Sequence, residues 1–283
     1  MNINRKQSKL QMERRKNGKV EYLTFPLLDE TGLVRHLFST RLGGVSEGIF
    51  SSMNLSYTRG DKKEAVDENY RRIADTLGCS LEDIVCSDQT HTTNIRVVDE
   101  RDRGKGIFYP KDYRDVDGMI TKTPGIVLAT FYADCVPLFF IDTKQKAIGL
   151  SHSGWRGTVG RIGARTIEVM GREYGTKPED IVAAIGPSIC RGCYEVGGEV
   201  EAAFVQEFSK PGQAEVILYE KGNDKYWLDL WKANQIVLEE AGVHTDRIQV
   251  TDICTCCNPD YLFSHRASHG KRGNLGAFLG LLE

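Results

Sequence analysis

His91, Cys135 and His152 are the residues whose types could do chemistry together. His91 lies between two short apolar segments, Cys135 separates two longer ones, and His152 follows the end of another. Two imidazoles and one thiolate make a catalytic type of zinc shell, which leaves a fourth position for water or substrate. The same set suits a cysteine hydrolase, in which Cys135 attacks a carbonyl group and one histidine acts as its base. Since the three residues follow no short-range metal-binding pattern, ordinary packing in the core stays open as a third interpretation.

Other polar side chains stand beside these residues or in glycine-rich turns. Arg156 lies in the Ser-Gly-Trp-Arg-Gly turn after His152, and Arg41 lies in a long loop rich in Gly and Ser. Because glycines let backbone N–H groups approach an anion, Arg41 and Arg156 are candidate phosphate ligands, with structural salt bridges as the alternative. Asp134 precedes Cys135. It either transfers a proton for a metal-bound water or orients the strand without contacting the metal itself.

Short apolar runs and amphipathic stretches predict the elements that position these residues. Runs rich in Val, Ile and Phe predict strands, which include 126–132, 136–141 and 147–151. Apolar residues near helical spacing predict helices over 61–77, 158–174, 200–208 and 228–241. Strands and helices mix without strict βαβ alternation. The sequence therefore predicts one α/β domain over residues 21–283, with mixed β-sheets flanked by helices.

The composition is that of a soluble globular protein. The chain has 283 residues, of which 40% are hydrophobic and 27% charged, and its formal net charge of −2 argues against nucleic-acid or membrane-surface binding. No apolar run approaches the roughly 20 residues that span a bilayer, and no apolar segment follows the basic N-terminus as in a secretory signal. Residues 1–20 are predicted to be a basic, flexible tail. Eight cysteines without a signal sequence favour reduced thiols in the cytoplasm.

Five of those cysteines lie in two clusters, CRGC and CTCC. They are Cys190, Cys193, Cys254, Cys256 and Cys257. They could form a second, structural zinc site. We favour packing thiols instead, because CTCC does not stand out as a clean second C-x-x-C pair.

A series of motifs runs in order from about residue 21 to the C-terminus. The motifs are TRLGGVSEGIFSSMNL, QTH, the Asp-Gly of DVDGMIT, YADCVPL, SHSGWRG, GPSI, CYEVG and a final CT with FSHR. Together they resemble the YfiH/YlmD family, also called the polyphenol-oxidase or laccase-domain proteins. The resemblance implies a fold similar to that of the catalytic domain of cytotoxic necrotising factors, with metal ligands at His91, Cys135 and His152. It also implies a zinc-dependent purine nucleoside phosphorylase, acting on adenosine, inosine and methylthioadenosine, with adenosine deaminase activity.

The family resemblance leaves other activities open. Some relatives are assigned as amidases of peptidoglycan precursors, and zinc-activated water or Cys135 would suit that reaction. A four-copper laccase needs more imidazoles than six histidines with no H-x-H pair supply, so copper at a His₂Cys site would be adventitious. The chain also reads HGKRGNLGA where a Gly-Arg step is usual, so no role for Arg272 follows from the resemblance. The predicted enzyme thus holds one zinc ion and binds purine nucleoside and phosphate.

Overall fold

The computed structural model describes residues 3–7 and 11–282, which form fifteen strands and seven α-helices. The strands are β1 Glu13–Asn17, β2 Val20–Thr24, β3 Val34–Ser39, β4 Ile84–Cys86, β5 Ile95–Val97, β6 Gly118–Thr121, β7 Val127–Tyr132, β8 Val136–Asp142, β9 Ala147–Ser153, β10 Ile181–Ile185, β11 Glu195–Gly197, β12 Leu218–Gly222, β13 Lys225–Leu228, β14 Ile248–Val250 and β15 Leu275–Leu281. The helices are α1 Pro26–Asp29, α2 Lys63–Leu77, α3 Trp155–Val159, α4 Ile162–Tyr174, α5 Gly198–Glu207, α6 Gln213–Ile217 and α7 Leu230–Glu240. None of these helices is both long enough and apolar enough to span a membrane.

Two six-stranded sheets organise the fold, and a three-stranded sheet lies beside them. The strand orders are β1-β2-β3-β15-β7-β4, β14-β10-β8-β9-β6-β5 and β11-β13-β12. Neighbours are antiparallel except for β4–β7, β5–β6 and β10–β14, which are parallel. The prediction of one α/β domain with mixed sheets flanked by helices is therefore confirmed.

The side chains of β8 show how the layers pack. Phe139 and Ile141 lie in the core between the two large sheets, whereas Leu138 and Phe140 lie in the core under α4 and α7. Successive residues of a strand point to opposite faces, so a strand covered on both faces must be apolar throughout. The continuous run VPLFFI meets that requirement. Helix α2 covers the outer face of the first sheet in the same way.

Several predicted elements differ from the observed ones at a single residue or turn. The predicted helix 158–174 is two helices, α3 and α4, because Arg161 between them adopts a left-handed φ of 54°. The strand predicted around 216–219 begins only at Leu218, since the preceding residues form α6. Strand β9 continues through His152 to Ser153, so this histidine lies within the strand.

Part of the N-terminal segment, predicted to be a flexible tail over residues 1–20, makes contacts with the rest of the chain. Residues 13–17 form β1, which pairs with β2, and Arg5 pairs with Asp252 at 2.5 Å. Arg15 likewise pairs with Asp29 at 2.8 Å. Two of the positive charges that indicated a solvated tail are thus matched by carboxylates elsewhere in the chain. Residues 1–2 and 8–10 of the predicted tail lie outside the described residues.

His36 in β3 is buried and uncharged, and it predicts a pH dependence of stability. Its Nε2 accepts the Phe25 N–H at 2.8 Å, its Nδ1 lies 3.6 Å from Asp29, and burial, aided by Arg15, lowers its pKa from 6.5 to about 3. The unfolded chain takes up a proton near pH 6.5 that the folded chain excludes. The resulting stability is therefore present above pH 6.5 and is lost as the pH falls towards 3.

We expect His36→Asn, whose side-chain oxygen can also accept a hydrogen bond, to remove this acid-dependent loss. Between pH 7 and pH 5 the free energy of unfolding of the native protein should fall about 2 kcal/mol further than that of the variant, at about 1.4 kcal/mol per pKa unit. Denaturant unfolding at the two pH values measures this difference, with exposed His244→Asn as the matched control. Parallel pH profiles for the native protein and His36→Asn would contradict the assignment.

Candidate metal centre

The structure brings His91, Cys135 and His152 together from three separate segments. Their ligand atoms all lie within 4.8 Å of one another. Cys135 Sγ is 3.9 Å from His91 Nε2, and the two imidazole rings meet edge to face with centroids 4.9 Å apart. Zinc bonds are about 2.0 Å long to nitrogen and about 2.3 Å long to sulfur. In a tetrahedral site, bonds of these lengths would place the ligand atoms at separations within this range. One ion could therefore contact all three residues.

The antiparallel pairing of β8 and β9 places Cys135 beside His152. Pro137 pairs with His152 and Val136 with Ser153, so Cys135, just before β8, lies opposite Gly154, just after β9. A Cβ atom on Gly154 would lie 2.8 Å from His91 Cδ2 and 3.2 Å from Cys135 Sγ. Only glycine leaves room here for both ligands. The Ser-Gly-Trp-Arg-Gly turn thus forms part of the wall of the site.

Asp117 is a site residue that the sequence analysis did not identify. Its carboxylate accepts the Nδ1–H of His152 at 2.8 Å, the backbone N–H groups of Thr90, His91 and Thr92 at 2.9–3.1 Å, and the Thr92 hydroxyl at 3.0 Å. Burial raises its pKa, but the hydrogen bonds from His152, Thr90 and Thr92 outweigh burial and lower it to about 2. The hydrogen bond to Nδ1 leaves His152 Nε2 free for a metal. The same carboxylate holds His91, whose φ is 66°, in a left-handed conformation.

Asp134 is held firmly by the chain that surrounds it. Its carboxylate accepts the Thr255 hydroxyl at 2.6 Å and the Arg266 N–H at 2.7 Å, and its carbonyl accepts the Ile189 N–H at 3.0 Å. Only 9% of the residue is exposed, and its φ is 98°. Both carboxylate oxygens are thus engaged, and the peptide that leads into Cys135 is fixed.

A cavity of about 350 Å³ opens beside the candidate ligands, and Arg59, Lys111 and Arg272 are among its lining residues. Arg272 is 9% exposed, and its buried Nε has no hydrogen-bond partner among the described residues. Burial and the charge of Arg59 lower the pKa of Arg272 to about 10. Lys111, by contrast, pairs with Asp88. The cavity wall therefore contains a buried cation, Arg272, whose Nη1 donates to the Gly273 carbonyl and the Asn274 side chain.

The arginines predicted to bind phosphate do not line this cavity. Arg41 donates to the carbonyls of Ser51 at 2.8 Å and Pro259 at 2.6 Å, and it covers the ring of Phe263. Arg156 is exposed and stacks over the Trp155 ring, with 4.3 Å between the guanidinium carbon and the ring centroid. The guanidinium of Arg41 is therefore engaged in holding loops together.

The electrostatics of the site favour a thiolate at Cys135. Burial raises the pKa of Cys135, but His152 and His91 outweigh burial and lower it to about 6. Burial lowers the pKa of His152, but Cys135 and Asp117 outweigh burial and raise it to about 9. A thiolate is the form that binds metal and also the form that attacks carbonyl carbon. Asp117, His152 and Cys135 therefore suit either a metal centre or a thiol nucleophile.

Comparisons with known proteins agree with the motifs. A family model described as multi-copper polyphenol oxidoreductase laccase matches residues 35–282. The purine nucleoside phosphorylase YlmD of Bacillus subtilis (strain 168) is 37% identical over 87% of this chain and 88% of its own length. The adenosine deaminase RL5, from an unknown prokaryotic organism, is 37% identical over 81% of this chain and 87% of its own length. The crystal structure of YlmD from Geobacillus stearothermophilus superposes with a TM-score of 0.88 at 33% identity, covering 97% of this chain and 100% of that one.

Proposed function

The chain belongs to the multi-copper polyphenol oxidoreductase laccase family, which includes the YfiH and YlmD proteins, and we propose that it is a zinc-dependent purine nucleoside phosphorylase with adenosine deaminase activity. Adenosine, inosine and methylthioadenosine are the proposed nucleosides, and the cytoplasm is the proposed compartment. The observation that carries this proposal is the His91–Cys135–His152 cluster, which lies beside a cavity lined by the buried guanidinium of Arg272. The names of the relatives supply the class of substrate.

The donor set fits zinc better than a multicopper centre. Two imidazoles and a thiolate provide three ligands and one open position, with Asp117 orienting His152 as is usual for zinc-bound histidine. A trinuclear copper cluster needs more imidazoles than the described part of this chain brings together. Of its six histidines, His36 is buried in β3, and only two others join a candidate metal group in the described part of the chain. Copper can still displace zinc adventitiously, since it binds such ligands more tightly.

The residues of the chain have separable tasks in the proposed reactions. When bound, zinc would supply a coordinated water of lowered pKa and polarise a substrate oxygen. Asp117 sets the tautomer of His152, and Asp134 fixes the peptide before Cys135, so we assign Asp134 to positioning this ligand. In phosphorolysis a phosphate oxygen bonds to C1′ of the ribose as the C1′–N9 bond breaks and the purine leaves with a proton. In deamination, water replaces the amino group at C6, which leaves as ammonia.

We place the phosphate at Arg272, with Arg59 adding positive charge, rather than at Arg41 and Arg156. Arg272 lines the cavity beside the candidate ligands and is largely buried, so its guanidinium offers a charged hydrogen bond at low solvent exposure. The guanidinium of Arg41 is engaged with backbone carbonyls, and that of Arg156 stacks on Trp155.

We expect Arg272→Gln to weaken phosphate binding by about 1.5–3 kcal/mol, the usual range for a charged hydrogen bond. That is about one to two decades in phosphate affinity, because 1.4 kcal/mol is tenfold. The measurement is inosine cleavage against phosphate concentration, alongside adenosine deamination, which needs no phosphate. Arg156→Ala and Arg41→Ala are matched controls that should leave phosphate dependence unchanged. If Arg272→Gln kept the native phosphate dependence and either control altered it, the anion site would lie in the Gly-rich loops instead.

The reaction class itself is tested by the products. Zinc-loaded protein is incubated with inosine or adenosine, with and without phosphate, and the products are separated by chromatography. Ribose 1-phosphate formed only with phosphate supports phosphorolysis, and inosine formed from adenosine in either case supports deamination. Inertness towards both nucleosides under all conditions would overturn the proposal.

A second candidate is an amidase with Cys135 as nucleophile. It is favoured by one observation: Asp117 hydrogen-bonds to His152, whose ligand nitrogen lies within 4.8 Å of Cys135 Sγ, as in a triad of carboxylate, base and nucleophile. An amide-bearing peptidoglycan precursor in the same product assay distinguishes this activity from nucleoside chemistry.

A further inference from the structure

Four cysteines outside the candidate metal centre meet at one edge of the second large sheet. Strands β10 and β14 are parallel neighbours, so the segments that follow them leave the sheet at the same edge. Cys190 and Cys193 lie in the segment after β10, and Cys254 and Cys257 in the segment after β14. A bridge between Ser188 and Cys254 continues the pairing beyond the strands. The topology thus brings together cysteines that are more than sixty residues apart.

Each of the two segments contributes a C-x-x-C pair. Cys190 and Cys193 are three residues apart, and so are Cys254 and Cys257, with Cys256 between them. The extra cysteine conceals the second pair in the sequence CTCC. Two such pairs on adjacent turns are the usual ligand pattern of a structural Cys₄ zinc site.

The four sulfur atoms have the spacing of a tetrahedral metal site. All four Sγ atoms lie within 4.8 Å of one another. Cys257 Sγ is 3.3 Å from Cys193 Sγ and 3.9 Å from Cys190 Sγ. Zinc–sulfur bonds of about 2.3 Å in a tetrahedron place sulfur atoms about 3.8 Å apart. Disulfide sulfurs are only about 2.05 Å apart, and all four cysteines are free thiols here.

Hydrogen-bond donors surround the sulfur atoms as four metal-bound thiolates would require. The N–H groups of Cys190 and Cys257 donate to Cys254 Sγ at 3.2 and 3.4 Å. The ammonium group of Lys6, in the N-terminal segment, adds a positive charge close to Cys257. Four thiolates around a divalent ion leave an excess of negative charge, which these donors offset.

We propose that Cys190, Cys193, Cys254 and Cys257 bind a second zinc ion with a structural role. Zinc fits because tetrahedral all-sulfur sites select zinc or iron, and all four positions are filled by the protein. Cys190 and Cys254 are buried, so no position is left open for a substrate. Cys256, which is not part of the four-sulfur group, remains a free thiol.

The second site also adjoins the residues that fix the first one. Ile189, next to Cys190, donates its N–H to the Asp134 carbonyl, and Thr255, next to Cys254, donates its hydroxyl to the Asp134 carboxylate. Asp134 directly precedes Cys135. A zinc ion that ties the two segments together therefore stabilises the peptide that carries a ligand of the candidate metal centre. This structural role does not depend on which reaction the enzyme catalyses.

The experiment is a metal count on the full-length protein reconstituted with zinc and desalted. Elemental analysis should find about two zinc ions per chain in the native protein, and about one in His152→Ala and in Cys257→Ser. Cys256→Ser, which changes the neighbouring cysteine, is the matched control and should keep both ions. Equal zinc content in the native protein and Cys257→Ser would overturn the proposal, as would a single ion in the native protein that is lost in His152→Ala.

Cobalt spectroscopy keeps the proposal testable if Cys257→Ser fails to fold. Cobalt-loaded His152→Ala should show the sulfur-to-cobalt charge-transfer absorption and the tetrahedral d–d bands of an all-sulfur site. Absence of these bands would overturn the proposal. Thiols are also counted in the denatured native protein, prepared without air or reductant. A count four short of the eight cysteines would indicate two disulfides and would overturn the proposal as well. Iron in place of zinc in the freshly purified protein would overturn the choice of metal.

Discussion

Replacing His152 with alanine is expected to abolish metal binding at the candidate metal centre and to lower nucleoside phosphorolysis on the order of a thousandfold. A bound metal commonly supplies several kcal/mol of transition-state stabilisation, and about 4 kcal/mol corresponds to that factor. His91→Ala and Cys135→Ala should behave in the same way, since the three ligand atoms converge on one position. Metal content by elemental analysis and steady-state cleavage of inosine measure the two effects.

The fold should survive these changes, because catalytic metal sites seldom supply folding energy as structural zinc sites do. Circular dichroism checks this point, and exposed His244→Ala is the matched control for removal of an imidazole. Full metal occupancy in all three ligand variants would refute the assignment.

Alkylation distinguishes a metal ligand from a thiol nucleophile at Cys135. A metal-bound Cys135 should react slowly with an alkylating reagent until the metal is removed. Rapid alkylation of Cys135 in metal-loaded protein would favour the amidase.

Changing Asp117 to asparagine is expected to weaken metal affinity or activity by about 10- to 100-fold, the usual cost of losing a carboxylate that orients a zinc-bound histidine. The carboxylate accepts hydrogen bonds from His152 and from three consecutive backbone N–H groups. An amide of the same shape has one accepting atom fewer and carries no charge, so it cannot hold both His91 and His152. Competition with a chelator of known affinity measures the change in metal binding.

Asp115→Asn is the matched control for Asp117→Asn. Asp115 is exposed and lies in the same loop, and its carboxylate accepts the Thr90 hydroxyl at 2.7 Å. It should leave metal affinity unchanged. If Asp117→Asn folds and binds metal as tightly as the native protein, Asp117 does not orient the ligands. The pKa of Asp117, about 2, also means that its stabilising effect is present above pH 3.8 and lost as the pH falls towards 2.

The candidate ligands could be predicted from the sequence because each adjoins an apolar run that can only be a strand or buried segment. The runs around Cys135 and before His152 are antiparallel neighbours, and a short turn between them fixes the register. The order and type of these elements follow from local patterns. The mixed-sheet architecture followed from the irregular order of helices and strands.

The remaining features depend on contacts between distant segments, which local patterns do not encode. Asp117 was visible only as part of DVDGMIT, because its partners lie 25–27 residues earlier in the loop that holds His91 and in His152, 35 residues later. Arg272 is an ordinary residue of a basic stretch until burial leaves its Nε without a partner. Residues 13–17 of the predicted tail pair with β2, and the strand that pairs with them could not be inferred from their charge.

The central claim is that phosphate-dependent nucleoside cleavage takes place at the His91–Cys135–His152 centre when it holds a metal. The most direct test is to strip the protein of metal, titrate zinc back and follow ribose 1-phosphate formation from inosine and phosphate at each occupancy. A Cys135→Ser sample is titrated in parallel to account for zinc bound elsewhere. The account predicts almost no product in the stripped protein and a rate that rises with the extra zinc that only the native chain binds. A stripped protein as active as the loaded one, or a Cys135→Ser sample restored to the native rate, would contradict it.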